Sequence, residues 1–176
     1  MIIYLIGFMG SGKSSNGEEL AKQLNLKFTD LDRQLEERMG MTVPEMFAQK
    51  GEAWFREQEH QLLRQISETD DQVIACGGGT PCFYDNMEFM NSHGVTVYLK
   101  MSVKGLQSRL ESQTNSRPLL QGKTGQHLEK LIHDLLEKRE DWYLRASYKV
   151  KALDLDIKAL ADTISEKLPL PSQIPQ

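Results

Sequence analysis

The chain has 176 residues, of which 39% are hydrophobic and 26% charged, enough apolar material for one core and a composition unlike that of a disordered chain. With 21 Lys and Arg against 25 Asp and Glu the formal charge is -4, so the basic excess that grips a nucleic-acid backbone is missing. Two cysteines cannot build a disulfide scaffold, and the opening apolar run is too short for a membrane span. A single cytoplasmic domain over 1–168 is expected, with no membrane or nucleic-acid partner.

Residues 2–6 form a continuous apolar run, the pattern of a strand buried on both faces. Glycines punctuate 7–12, and 13–24 then reads as a helix with Leu20, Ala21 and Leu24 along one side. A short strand is expected at 26–29, helices at 31–39 and 43–50 broken at Gly40, and a longer helix at 52–66. Strand 73–76 runs directly into Gly77, Gly78 and Gly79. Helix 84–92, strand 95–99 and helix 103–112 follow, then a polar stretch over 112–125. Leu128, Leu131, Ile132, Leu135 and Leu136 recur at helical spacing and predict a helix to about Leu144. A last small strand at 148–150 and a helix at 157–168 precede a proline-rich tail, 169–176, expected to be loose. Apolar strands alternating with helices predict an α/β layer fold around a mostly parallel sheet.

Gly7-Phe-Met-Gly-Ser-Gly-Lys13-Ser14 fits the pattern glycine, four residues, Gly-Lys-Ser. Glycines let successive backbone N–H groups converge on phosphate oxygens, and the helix that follows adds its free N–H groups and positive dipole end. Gly10, Ser11, Gly12, Lys13, Ser14 and Ser15 are therefore the candidate nucleotide-phosphate residues, with Lys13 reaching the outer phosphates and the Ser14 hydroxyl able to ligate Mg²⁺. A strand before the loop and a helix after it make a chance match a poor alternative.

Asp30 and Asp32 follow the second strand candidate, where ligand-facing residues of a parallel sheet gather. They can serve a metal and an acceptor hydroxyl, or one of them simply caps the next helix. Arg56 can clamp a carboxylate in a fork, or pair within its helix with Glu52 or Glu59. The triple glycine permits close approach of a ligand or makes a tight turn. Arg117 sits in a polar segment with the composition of a mobile lid, or of an exposed loop. Arg139 and Arg145 each face either the site or the solvent. Glu36 and Glu37 read as a solvated helix face, and the four histidines lack the spacing of a metal cluster.

Taken together, Gly7 to Gly17, Phe28-Thr-Asp-Leu-Asp32, Glu45-Met-Phe47, Gly51-Glu-Ala-Trp-Phe-Arg-Glu-Gln-Glu59, Gly77-Gly-Gly79, Arg117-Pro-Leu-Leu120, and Arg139 with Tyr143 resemble the shikimate kinases, in the family's order and over nearly the whole chain. The resemblance implies a three-layer P-loop kinase fold with a five-stranded parallel sheet in the order 2-3-1-4-5. It implies transfer of the γ-phosphoryl of ATP to the 3-hydroxyl of shikimate, giving shikimate 3-phosphate and ADP, a step in chorismate and aromatic amino-acid biosynthesis. Carried over by position, Asp32, Arg56 and Arg139 would contact shikimate and Gly77, Gly78 and Gly79 would line its pocket. Lys13 would hold phosphate, Ser14 would bind Mg²⁺, and Asp30 would reach the metal through water. Arg117 would be the lid arginine near ATP, with Lys13 and Asp32 completing the catalytic set. Residues 33–60 would form the acceptor-binding region and 112–124 the lid, in a monomer. Asp141 stands where the family usually has proline, which bears on the pose of Arg139.

Overall fold

The computed structural model describes residues 1–69, 71–111, 113, 118–120 and 122–167. Five strands, β1 (Ile2–Ile6), β2 (Lys27–Asp30), β3 (Gln72–Ala75), β4 (Val95–Lys100) and β5 (Tyr148–Lys151), form one sheet in the order β2-β3-β1-β4-β5, every neighbouring pair parallel. All residues of β1 and β3 are buried, as expected of strands covered on both faces. The edge strand β5 alternates half-buried and exposed positions.

Among the described residues, eight α-helices connect and flank the strands: α1 (Lys13–Leu24), α2 (Leu31–Met39), α3 (Val43–Lys50), α4 (Glu52–Ile66), α5 (Asn86–His93), α6 (Val103–Leu110), α7 (Gly125–Tyr143) and α8 (Ile157–Lys167). From β1 the chain moves past β3 to β2, and then reverses direction through β3, β4 and β5. Right-handed crossovers therefore put α1 on one face and α2 to α7 on the other. The last helix, α8, returns to pack against α1. Gly17 lets α1 lie close on the sheet, since a Cβ there would meet Phe28 Cε2 at 2.6 Å.

Several boundaries differ from the sequence expectation, for local physical reasons. Strand β2 reaches Asp30 because its register pairs Asp30 with Ala75. The expected helix at 84–92 begins only at Asn86: a single 3₁₀ turn, Thr80–Cys82, comes first, and Tyr84 takes a positive φ of 52°. Helix α6 stops at Leu110. Helix α7 runs unbroken past Asp141, where a proline would have removed a helical hydrogen bond. Among the described residues no helix is long and apolar enough to cross a membrane.

Candidate active site

Beyond Ile6 the chain turns through the glycine loop, with Gly10 and Gly12 at φ of +81° and +88°. Those values favour glycine, because a Cβ is crowded in the left-handed region. Helix α1 starts from Gly12 with no side-chain cap, so its first N–H groups remain open to an anion. Lys13 lies back over the loop, its Nζ donating to the carbonyls of Gly7 and Phe8 at 2.9 Å each. Ser11 turns inward and is fully buried, its N–H donating to the Phe8 carbonyl. Gly10, Gly12, Lys13, Ser14 and Ser15 border an open cavity of about 590 Å³.

Across that cavity the Ser14 hydroxyl donates to Asp30 Oδ2 at 2.6 Å, which turns the serine lone pairs outward. Asp30 Oδ1 accepts from the Arg33 N–H at 3.2 Å and caps α2. Capping and an approach to a metal site are thus both open to Asp30, one oxygen for each. Asp32 makes no cap and faces the cavity instead.

A second cavity, of about 250 Å³, adjoins the first, and Met9, Asp32, Glu36, Gly77 and Gly78 line both. Arg56 and Arg139 supply its positive charge. Arg139 comes from the last turns of α7, is 7% exposed, and its Nη1 is buried with no hydrogen-bond partner among the described residues. Arg56 is 5% exposed and does make the intrahelical pairs foreseen from its spacing, with Glu59 at 2.8 Å and Glu52 at 3.2 Å. It nonetheless lines the cavity, stacked over Phe83 at 4.5 Å and Phe55 at 5.1 Å. The ion pair and the cavity-facing position coexist in one side chain.

Gly77, Gly78 and Gly79 are close-approach glycines, and none takes a positive φ. A Cβ on Gly77 would meet Glu59 Oε1 at 2.6 Å, and one on Gly79 would meet the Arg56 guanidinium carbon at 2.6 Å. The middle carbonyl, of Gly78, accepts from the Tyr143 hydroxyl at 2.5 Å. Between these groups, burial first, then the charges of Glu59 and Asp30, push the Asp32 carboxyl up to about 7, against the opposing pull of Lys13 and Arg56.

The sequence reading missed three contributors. Glu59 is fully buried beside Arg56. Glu36 does not sit on a solvated face: it lines both cavities and accepts from the Val43 N–H at 2.8 Å. Arg109 of α6 borders the phosphate-loop cavity and donates to the Gly10 carbonyl at 3.4 Å. Charge pairs read from sequence carry no sign of which member turns inward, and Arg109 stands in no local motif. Arg145 lies outside the site, paired with Glu88 and stacked on Trp142. Arg117 lies outside the described residues, as does part of the expected lid over 112–124.

A glycine loop at the carboxyl end of the first strand of a 2-3-1-4-5 parallel sheet, opening beside a second cavity that holds two arginines, defines a P-loop kinase for a small acceptor. A family model of shikimate kinase matches residues 9–169. A shikimate kinase of Parabacteroides distasonis is 48% identical over 145 residues, covering 82% of this chain and 84% of that protein. The crystal structure of shikimate kinase from Bacteroides thetaiotaomicron superposes with a TM-score of 0.87 at 43% identity, covering 97% of this chain and 99% of the other. Shikimate kinase from Acinetobacter baumannii in complex with shikimate gives 0.84 at 34% identity, with 94% and 91% covered. The chain belongs to the shikimate kinase family.

Proposed function

We propose that this chain transfers the γ-phosphoryl group of ATP to the 3-hydroxyl of shikimate, releasing ADP and shikimate 3-phosphate, as a single domain over 1–168. The observation that carries the reading is the small cavity beside the phosphate loop. It holds Arg139, whose buried Nη1 has no partner among the described residues, together with Arg56, and it meets the nucleotide side at Asp32. Two largely buried arginines lining one small cavity suit a carboxylate, which a guanidinium binds through a fork of N–H groups. An acceptor anchored there by its carboxylate presents its hydroxyls to Asp32, between the two cavities.

In the reaction the bond from the γ-phosphorus to the β–γ bridging oxygen breaks as a bond from the acceptor oxygen forms. The backbone N–H groups of Gly10, Gly12, Lys13, Ser14 and Ser15 and the Lys13 ammonium neutralise charge on the phosphate oxygens. Asp32 orients the attacking hydroxyl and takes its proton in the ionised form. Arg117 belongs to the same proposal as a lid cation near ATP, with 112–124 closing over the nucleotide and 33–60 enclosing the acceptor. The Ser14 hydroxyl and the Asp30 carboxylate are hard oxygen donors and fit Mg²⁺, which takes one or two protein oxygens and completes its shell with phosphate and water. Ser14 would ligate it directly and Asp30 through water. When bound, the ion offsets negative charge on the transferred group. A cytoplasmic monomer completes the reading.

The decisive experiment incubates the protein with Mg-ATP and either shikimate or gluconate, following ADP and the new phosphate ester by ³¹P NMR. Ester on shikimate alone is the expected result. Ester on gluconate alone assigns a different acceptor, and nucleotide binding with no ester on either makes the chain a nucleotide-gated binding module.

A further inference from the structure

Behind the wall of the acceptor cavity a buried polar chain leads away from Arg56 and Glu59 to residues that do not line it. Thr80 starts the 3₁₀ turn directly after the triple glycine and is fully buried. Its hydroxyl donates to Glu59 Oε1 at 2.6 Å, while Glu59 Oε2 accepts from Arg56 Nη1 at 2.8 Å. Each oxygen of this fully buried carboxylate therefore serves a different partner. Thr80 is fixed at its other end too, since its carbonyl accepts from Asn86 Nδ2 at 2.9 Å and Asn86 is itself fully buried. On the far side Asn86 Oδ1 accepts from Arg64 Nη1 at 3.2 Å.

A guanidinium carries five N–H groups. On Arg56, Nε and Nη2 each donate to Glu52 Oε1 and Nη1 donates to Glu59. One N–H on each terminal nitrogen is then not used by Glu52 or Glu59 and is available to a substrate carboxylate. A carboxylate whose second oxygen loses its donor gains by turning both oxygens onto a neighbouring guanidinium, because a buried unpaired acceptor is costly.

We propose that Thr80 is a positioning residue for acceptor binding: its hydroxyl occupies Glu59 Oε1, holds Glu59 to a single contact with Arg56, and so keeps the Arg56 fork turned to the cavity. This inference rests on the acceptor reading given under Proposed function.

The test is steady-state kinetics of Thr80→Val, which removes the hydroxyl at nearly constant shape, beside Thr80→Ser, which keeps it. Thr80→Val is expected to raise KM for shikimate ~10-fold, with kcat and KM for ATP within ~3-fold of the parent. Thr80→Ser stays within ~3-fold on every constant. In a Glu59→Gln background Thr80→Val adds less than ~2-fold, because the group it acts through is already changed. An equal rise in both KM values, no rise in either, or a full additional factor in the Glu59→Gln background overturns the inference. If the valine protein does not fold, Thr80→Ser alone decides, and a ~10-fold rise in its shikimate KM overturns the proposal as well. A parent protein that phosphorylates no shikimate sinks the acceptor reading itself; an active parent with an unaltered Thr80→Val variant sinks only the role of Thr80.

Discussion

The two cavities are built by different means. The phosphate side is made from one contiguous segment: glycines 10 and 12 set the curl, the uncapped start of α1 supplies N–H groups, and Lys13 folds back over its own loop. The acceptor side is made largely from side chains on α2, α3, α4 and α7, the charged ones aimed by other side chains. Glu59 holds Arg56, Thr80 holds Glu59, and Tyr143 holds the carbonyl of Gly78. A backbone cradle recognises any phosphate chain and tolerates change around it, whereas a relay of buried polar groups is selective and fragile, since each lost partner leaves another unpaired.

The sharpest way to break this comparison is to damage one side and read the other. Lys13→Ala should lower kcat about 10²- to 10³-fold, the loss typical of removing one preorganised charge donor from a transition state. Shikimate binding by calorimetry should change little. If that binding were lost as well, the cavities would not be independent.

Asp32 sits where they meet, and Asp32→Asn should lower kcat about 10²-fold, within the range of general-base loss. It should also change stability, with a sign that follows from the raised carboxyl, about 7 in the folded chain against roughly 4 unfolded. Between those values the folded state holds the extra proton. The contribution of Asp32 to stability is therefore fully present below about pH 4 and is lost as pH rises through about 7. In chelator, without nucleotide or acceptor, Asp32→Asn should melt higher than the parent at pH 8 and lose that advantage at pH 5. The acid limb of kcat/KM near pH 7 should vanish with it. A parent whose melting temperature is flat from pH 5 to 8 would contradict the assignment.

This difference in construction also explains what could be read from the sequence. The central strands were legible because buried parallel strands are largely apolar runs, and the phosphate loop because its residues are adjacent and their order is dictated by the ligand. Arg56 shows the opposite case. Its i,i+3 and i,i+4 acidic neighbours correctly indicate ion pairs, yet nothing local indicates that the same guanidinium also opens onto a cavity. Asp30 was equally ambiguous: one of its oxygens caps α2, and the other accepts from Ser14. Glu36, Thr80 and the contact of Glu59 with Thr80 were illegible for a simpler reason. Their partners are brought together by the packing of α2, α3, α4 and the turn after β3, contacts with no periodic trace in the chain. Only the family resemblance pointed to Asp32, Arg56 and Arg139 as one set.

A smaller effect is expected from Gly79→Ala. A Cβ there would overlap the Arg56 guanidinium, with Nη1 at 2.7 Å, while the backbone φ of -89° suits alanine. The damage should therefore fall on Arg56 and not on the turn. KM for shikimate should rise about 10-fold, the scale of one displaced charge-assisted hydrogen bond, with the ATP constants and the melting temperature nearly unchanged. A fall in melting temperature with both KM values moving together would mean that the glycines serve the turn after all.

The smallest change tests the other anchor. Tyr143→Phe removes the hydroxyl that holds the Gly78 carbonyl but keeps the ring, which packs 5.1 Å from Tyr98. The loss of one buried hydrogen bond should cost about 1 kcal/mol of stability. Gly78 lies between both cavities, with a Cβ there meeting the Met9 N–H nitrogen at 3.2 Å and Arg139 Nη1 at 3.5 Å, so its carbonyl should drift and raise KM for shikimate about threefold. Burial raises the Tyr143 hydroxyl far above its ordinary value, which keeps it protonated and donating across the working range. The ratio of variant to parent KM should therefore be the same at pH 6 and pH 9, unlike the pH-dependent effect at Asp32. A ratio that changes with pH would show that the Tyr143 contact is tied to a titrating group, and the acceptor wall would then be coupled to Asp32 instead of being held independently of it.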